Sequence, residues 1–317
     1  MKNKLSELIG LEVDENVPLK NHTTFKIGGP AKFFVVVESK DKLYKALAAA
    51  RELKLNYLVL GGGSNVLVSD DGFDGLVIKL KDGEIKIKEN QVTVFAGNNM
   101  KSMILEARKS GLGGLEFAAN IPGTIGGAVR GNAGAYGQGV GDFVESIEII
   151  EIGDEETSLK VLSSEECEFS YRESIIKKNS NWMISEVKLK MVKKSEGEMK
   201  EEQDVINKDW DKRCSSQPYD TPSAGCTFKN VIYSEELLKY KDWETHGKIA
   251  AGRFIEEAGL KGEKIGGAMV SEKHANFIIN FDNATADDVI TLISLVKARV
   301  RDQFGVQLFE EIMYVGF

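Results

Sequence analysis

AANIPGTIGGAVRGNAGAYG, residues 118–137, is the stretch on which the reading of this chain turns. It is long, low in charge and rich in small side chains, and the surrounding segment 111–141 holds 11 of the chain's 32 glycines. Glycine loses more conformational freedom on folding than any other residue, so such density marks backbone that takes positive φ or approaches a ligand or another segment closely. Two readings stand side by side: main chain wrapped around a large flat cofactor and its pyrophosphate, or a tightly packed loop between sheets. Upstream, GGGSN at 61–65 follows the apolar run YLVL (57–60) and leads into NVLVSD, which reads as another strand. An anion there would sit in a nest of backbone N–H groups rather than on a helix dipole, and a plain tight turn is the alternative. Neither GxGxxG nor GxxxxGK[ST] occurs, which removes support from a Rossmann site and a P-loop.

Working outward, FFVVV (33–37), a helical pattern over 40–55 capped by Ser39, and YLVL form a β-α-β unit. LVIKL (76–80) and IKIKENQVTVF (85–95) add strands, the latter turning as a hairpin at Glu89-Asn90. A helix is expected over 100–109, with strands at 145–152 and 182–191. The charged segment KKSEGEMKEEQ (193–203) reads as a linker and domain boundary. Beyond it the pattern predicts helices over 248–259 and 286–304. Thr285 caps the second, whose apolar face is Val289, Leu292, Ile293, Val296 and Val300. EEIMYVGF closes the chain as a strand.

A chain of 317 residues suits two or three domains at about 100–200 residues each. Its 41 basic and 49 acidic residues give a formal charge of -8, and no basic block interleaves with aromatics, which argues against a nucleic-acid partner. Cys167, Cys214 and Cys226 are odd in number and show no CxxC spacing, which fits a reducing cytoplasm. The N-terminus lacks an uninterrupted apolar core, and no later stretch approaches the roughly 18 apolar residues of a membrane span. A soluble cytosolic protein is expected. His22, His246 and His274 show no metal-ligand spacing and the carboxylates are scattered, so no metal is expected.

GGGSN, IPGTIGG (121–127), NAGAYG (132–137) and SYRES (170–174), in this order and spacing, resemble the UDP-N-acetylenolpyruvoylglucosamine reductase family, within the wider class of vanillyl-alcohol-oxidase-like flavoproteins. NHTTFKIGGPAKFF (21–34), SAGCTFKN (223–230), VSEKHANFIIN (270–280) and GVQLFEEIMYVG (305–316) extend the likeness over essentially the whole chain. The resemblance implies an α+β fold. Its FAD-binding region has two subdomains, 1–82 and 83–195, followed by an α+β substrate domain over 205–306 and a C-terminal strand, 307–317, that returns to the FAD-binding part. The chain's compactness resembles the shorter subclass, which lacks a substrate-closing insertion.

The activity implied is reduction of an enolpyruvyl ether on UDP-N-acetylglucosamine to UDP-N-acetylmuramate, in cytoplasmic peptidoglycan precursor synthesis. FAD, held noncovalently, is the carrier and NADPH the hydride donor; no obligate protein partner is evident. Hydride delivery to the enol ether builds negative charge beside the substrate carboxylate, so the site needs fixed positive charge and a proton donor. By resemblance Arg172 supplies the charge and Glu311 assists at the same carbon, with Glu310 a neighbour easily confused with it. Cys226 stands where serine is common in the family, and a thiol, with an unperturbed pKa of about 8.5, is acidic enough to serve as proton donor.

FAD contacts carried over by motif are Ile27 and Gly28, then Gly61, Gly62, Gly63, Ser64 and Asn65. They continue with Asn120, Ile121, Pro122, Gly123, Thr124, Gly126 and Gly127, and with Asn132 and Ala133. Tyr136, Lys229, Asn230 and His274 are the expected substrate contacts, His274 being equally readable as a structural histidine. Two rival functions are a flavin-dependent sugar or alcohol oxidase of the same wider fold, which would need a base at a carbinol carbon, and a non-redox nucleotide-sugar-binding protein.

Overall fold

The protein was analysed as a computed structural model describing residues 1–317. Two compact units organise it: Met1–Val17, Ala31–Gly62 and Asp74–Asp211 form the first, and Pro18–Pro30, Gly63–Phe73 and Lys212–Phe317 the second. Two short stretches that the sequence reading groups with residues 1–82 therefore belong to the second unit. No helix is long and apolar enough to cross a membrane.

The first unit opens with helix α1 (Lys2–Ile9), which buries Leu5 and Ile9 and ends at Gly10, whose φ of 68° is left-handed. Helix α2 (Lys40–Glu52) starts where Ser39 accepts a hydrogen bond from Lys42 N–H, and it buries Leu43, Ala46, Leu47 and Ala50 at helical spacing. It joins strands Pro30–Val37 and Tyr57–Leu60 of one sheet, but they are not neighbours. The order is Asp14–Pro18, Pro30–Val37, Phe73–Leu80, Tyr57–Leu60, and the last two run parallel.

A second, antiparallel sheet has the order Thr157–Ser163, Val144–Ile152, Trp182–Lys190, Gln91–Phe95, Ile85–Lys88. Its last two strands form the expected hairpin, with Glu89 at φ 56° in the turn. Leu43 and Leu47 of α2 share one core with Val92, Val94, Val187 and Leu189 of this sheet.

Helix α3 (Met100–Lys109) occupies the expected residues, capped by Asn99. The glycine-rich stretch is not all loop. Thr124 caps a short helix, α4 (Ile125–Arg130), with Ile125 and Val129 buried. Helix α5 (Ile175–Lys178) follows SYRES, capped by Ser174.

The expected linker at 193–203 is instead the start of α6 (Glu196–Ser216), a 21-residue helix. Only Ile206 and Asp209 are buried on it, so its composition carries almost no apolar stripe from which a helix could be read. The division between the two units falls within this helix, after Asp211.

The second unit contains a four-stranded sheet ordered Ser223–Cys226, Phe277–Asn280, Ala268–Val270, Lys264–Ile265. Residues 248–259 are not one helix. Lys248–Ile249 is a strand paired with Val231–Ile232, and α7 begins only at Ala251 (Ala251–Glu257), where Asn230 Oδ1 accepts from Ala251 N–H at 3.2 Å. Helix α8 (Ala286–Phe304) has the expected Thr285 cap, completed by Asp288 as a capping box, and buries Val289, Leu292, Ile293, Val296 and Val300. The closing strand is short, Met313–Val315, and runs parallel to Val66–Val68.

Candidate active site

In the first unit, the loop after Tyr57–Leu60 lies directly on the loop before α4. A Cβ on Gly61 would sit 2.5 Å from Thr124 Oγ1, and one on Gly62 would sit 2.9 Å from Gly123 Cα. Gly126 fits as closely against Ala96, to whose carbonyl it donates at 2.9 Å. Gly62 thus meets Gly123 backbone to backbone, while Gly61 lies against the Thr124 side chain.

Beneath the first loop, Lys79 faces Leu60 in the ladder and its ammonium donates to the Gly61 carbonyl. Burial, and then the like charge of Lys81, hold its pKa below the usual lysine value. Backbone amides with a half-buried ammonium behind them suit the diphosphate of a dinucleotide, so these residues fit FAD. Lys79 is a feature that sequence reading missed, although a lone lysine inside the buried run 76–80 was a signal that could have found it.

The motif at 132–137 is fixed by its own amide. Asn132, at φ 40°, accepts from Gly141 N–H at 2.9 Å and donates to Ser170 O at 2.9 Å. Ala133 is held between Ala128 and Val140 by main-chain bonds of 2.8 and 2.9 Å. SYRES is a tight turn in which Ser170 and Glu173 exchange both backbone hydrogen bonds. Arg172 sits within it at φ 59°, a left-handed conformation that costs a non-glycine residue on the order of 1–2 kcal/mol. Its Nη1 donates to Gly134 O at 3.2 Å, and Lys177 Nζ grips its carbonyl at 2.7 Å. Strain retained in this way is characteristic of a residue whose direction matters.

Tyr136 also has positive φ, 54°, and its hydroxyl donates to the carboxylate of Asp209 on α6. Asn120, from the other motif, donates to the same carboxylate at 3.2 Å and to Ile206 O at 3.0 Å. Asp209 is the second functional candidate that sequence reading missed. A charged residue on a charge-rich helix reads as solvated, and only the fold shows it buried.

In the second unit, the segment 227–229, just after Cys226, is hydrogen-bonded to the segment 309–311. Glu311 N–H donates to Thr227 O at 2.8 Å, Lys229 N–H donates to Phe309 O at 2.9 Å, and Phe228 bridges to Glu310. Cys226 ends the strand Ser223–Cys226 after Gly225, whose φ of 79° accompanies a register break opposite Phe277. Lys297 Nζ donates to Glu310 Oε1 at 2.8 Å and ties that carboxylate to α8. Asn65 of GGGSN donates to the Glu311 carbonyl at 3.1 Å and accepts from Met313 N–H, so this end of the glycine motif is bonded to the C-terminal strand.

Gly63 takes φ 67° and abuts His22 O, while Ile27 is buried beside Gly28, which packs on Val68. His274 accepts from Asn276 N–H through Nδ1 at 3.2 Å and stacks edgewise on Phe277; burial first of all pulls its pKa below the ordinary histidine value. Nε2 is therefore the nitrogen through which it could meet a ligand.

The glycine loops of the first unit define a flavin-binding protein, and comparison with known families agrees: the FAD binding domain family matches residues 31–158. The family described as UDP-N-acetylenolpyruvoylglucosamine reductase, C-terminal domain, matches residues 217–315. A reductase of that name from Caldanaerobacter subterraneus subsp. tengcongensis is 40% identical over 302 residues, covering 95% of this chain and 93% of its own. The one from Bacillus velezensis is 39% identical over 321 residues, covering 100% and 99%. The crystal structure of the Thermus caldophilus enzyme superposes with a TM-score of 0.74 at 34% identity, covering 95% of this chain and 98% of that one. The chain belongs to the UDP-N-acetylenolpyruvoylglucosamine reductase family.

Proposed function

We propose that this protein reduces UDP-N-acetyl-3-O-(1-carboxyvinyl)glucosamine to UDP-N-acetylmuramate with NADPH, in the cytoplasm, as a step of peptidoglycan precursor synthesis. The observation that carries this reading is the main-chain hydrogen bond from Glu311 N–H to Thr227 O, one residue after Cys226, in a chain of this family. A thiol and a carboxylate carried on segments bonded in this way serve as an acid and its helper, as protonation next to a carboxylate requires. An oxidase acting on a carbinol would need a base there instead.

Bound noncovalently, FAD supplies hydride transfer between NADPH and the substrate. Main chain at Gly61 and Gly62, from Asn120 to Gly127, and at Asn132 and Ala133 would hold it, with Lys79 behind the first loop; Gly63, Ser64, Asn65, Ile27 and Gly28 are the further contacts that the family motifs imply. Arg172 remains charged throughout and grips the substrate carboxylate through its planar fork, stabilising the negative charge that builds beside it. Cys226 holds the proton that is delivered to the carbon next to that carboxylate, and Glu311 assists in charge stabilisation and proton handling. Lys229, Asn230, Tyr136 and His274 contact the UDP-sugar.

The test is anaerobic stopped-flow absorbance of the FAD-loaded protein. NADPH is expected to bleach the flavin, and the UDP-enolpyruvyl sugar to restore its colour rapidly. Bleaching without recovery would sink the substrate assignment, and a protein that takes up no flavin would sink the whole reading.

A further inference from the structure

Tyr136 stands in a conformation that its residue type does not favour. With Gly137 it forms the two-residue turn between Gly134–Ala135 and Gln138–Gly139, where Ala135 faces Gln138. Both turn residues have positive φ, 54° and 86°, the geometry that hairpins ordinarily give to asparagine or glycine. The residue is also 58% exposed. Neither burial nor backbone preference accounts for a tyrosine here, so the reason lies in its hydroxyl.

That hydroxyl reaches the carboxylate of Asp209, which is 8% exposed and is one of two buried residues on the 21-residue helix α6. The same carboxylate accepts from Asn120 Nδ2 at 3.2 Å, and Asn120 also donates to Ile206 O at 3.0 Å, one turn back on the helix. A buried carboxylate is tolerated only when charge-assisted donors satisfy it, and here those donors come from both glycine-rich motifs.

We infer that Asp209 is the positioning residue of the UDP-sugar site and that it sets the polarity of Tyr136. A carboxylate accepts only, so the phenol proton is committed to Asp209 and the phenol oxygen turns its lone pairs toward the ligand. Tyr136 then receives a hydrogen bond from a neutral donor on the UDP-sugar, a hydroxyl or an amide N–H. It does not donate to the diphosphate, whose charge the adjacent carboxylate would repel. This refines the contact assigned to Tyr136 above and rests on that reading of the ligand.

The test is a double-mutant cycle of Asp209→Asn and Tyr136→Phe in the FAD-loaded enzyme. The amide at position 209 removes the charge with little change of shape and can donate to the phenol, reversing its polarity. Each single change is expected to raise KM for the UDP-enolpyruvyl sugar by about tenfold or more, with kcat within about threefold. In the Tyr136→Phe background, Asp209→Asn is expected to add almost nothing.

Isothermal titration with UDP-N-acetylglucosamine, which carries no enolpyruvyl group, reads the same cycle without turnover. A wild-type protein that binds this sugar but does not reduce the enolpyruvyl sugar overturns the functional reading while the cycle still reports on Asp209. Additive effects of the two changes, an unchanged KM in Asp209→Asn, or a wild type that binds no UDP-sugar would each overturn the role of Asp209.

Discussion

Cys226 ends a strand directly after Gly225, a glycine with left-handed φ, and the residues that follow it are bonded to the segment of Glu311 through Thr227 and Phe309. This arrangement needs an acid at position 226 but not sulfur in particular. Cys226→Ser should therefore retain substantial turnover. Cys226→Ala should slow reoxidation of the flavin by the enolpyruvyl sugar by about 100-fold or more, since a positioned general acid contributes roughly that much. Its bleaching by NADPH should proceed as before, and the two half-reactions followed separately distinguish the outcomes. Equal reoxidation in wild type and Cys226→Ala would remove the thiol from the chemistry.

His274 makes a different prediction at the same scale. Burial lowers its pKa and its Nδ1 must stay unprotonated to accept from Asn276 N–H. The unfolded chain takes up the proton first as pH falls below about 6.5, so this histidine contributes stability that is fully present above that value and is lost on acidification. The difference in unfolding free energy between wild type and His274→Gln should shrink from pH 7.5 to 5.5, with a slope of at most about 1.4 kcal/mol per pH unit. Denaturant titrations at a series of pH values measure it, and a constant difference would show that the ring does not titrate with folding.

At the scale of elements, the parts legible in the sequence are those where several local signals agree. Helix α8 declared itself through an apolar face of Val289, Leu292, Ile293, Val296 and Val300 behind a threonine cap, and α2 through its apolar face behind Ser39. Helix α6 reads as a linker in sequence because only Ile206 and Asp209 are buried on it, and no periodicity survives in so charged a segment. The same fact hid Asp209. The glycine motifs were legible as a feature but not as a geometry. Nothing in GGGSN says that Gly61 must clear Thr124, or that Lys79 lies beneath the loop.

That close approach can be tested. Gly61→Ala places a methyl group where only 2.5 Å is available to Thr124 Oγ1, so either Thr124 gives up its cap on Gly127 N–H or the two loops part. FAD affinity, followed by quenching of flavin fluorescence in the apo-protein, should fall by about tenfold or more, as expected when a preorganised site is displaced. Retained affinity would mean that the loops yield without consequence for the cofactor.

The whole molecule holds two cores, one joining α2 to the antiparallel sheet and one gathered around α8, with separate sets of buried residues. Gly61, Gly62 and the 120–127 motif belong to the first unit, and so do Trp182 and Trp210, whereas Trp243 belongs to the second. Trp182 is a suitable reporter of the first unit because its indole N–H donates to Glu151 and Lys160 lies over its ring, both within the antiparallel sheet. A ligand that binds only the folded state stabilises it by about 2.7 kcal/mol at a free concentration 100 times its dissociation constant. A variant carrying Trp210→Phe and Trp243→Phe should therefore show a thermal midpoint, read by Trp182 emission, that climbs steadily with FAD concentration and does so far less when Gly61→Ala is added. A midpoint indifferent to FAD in the parent variant would mean that the glycine loops of this unit do not hold the cofactor.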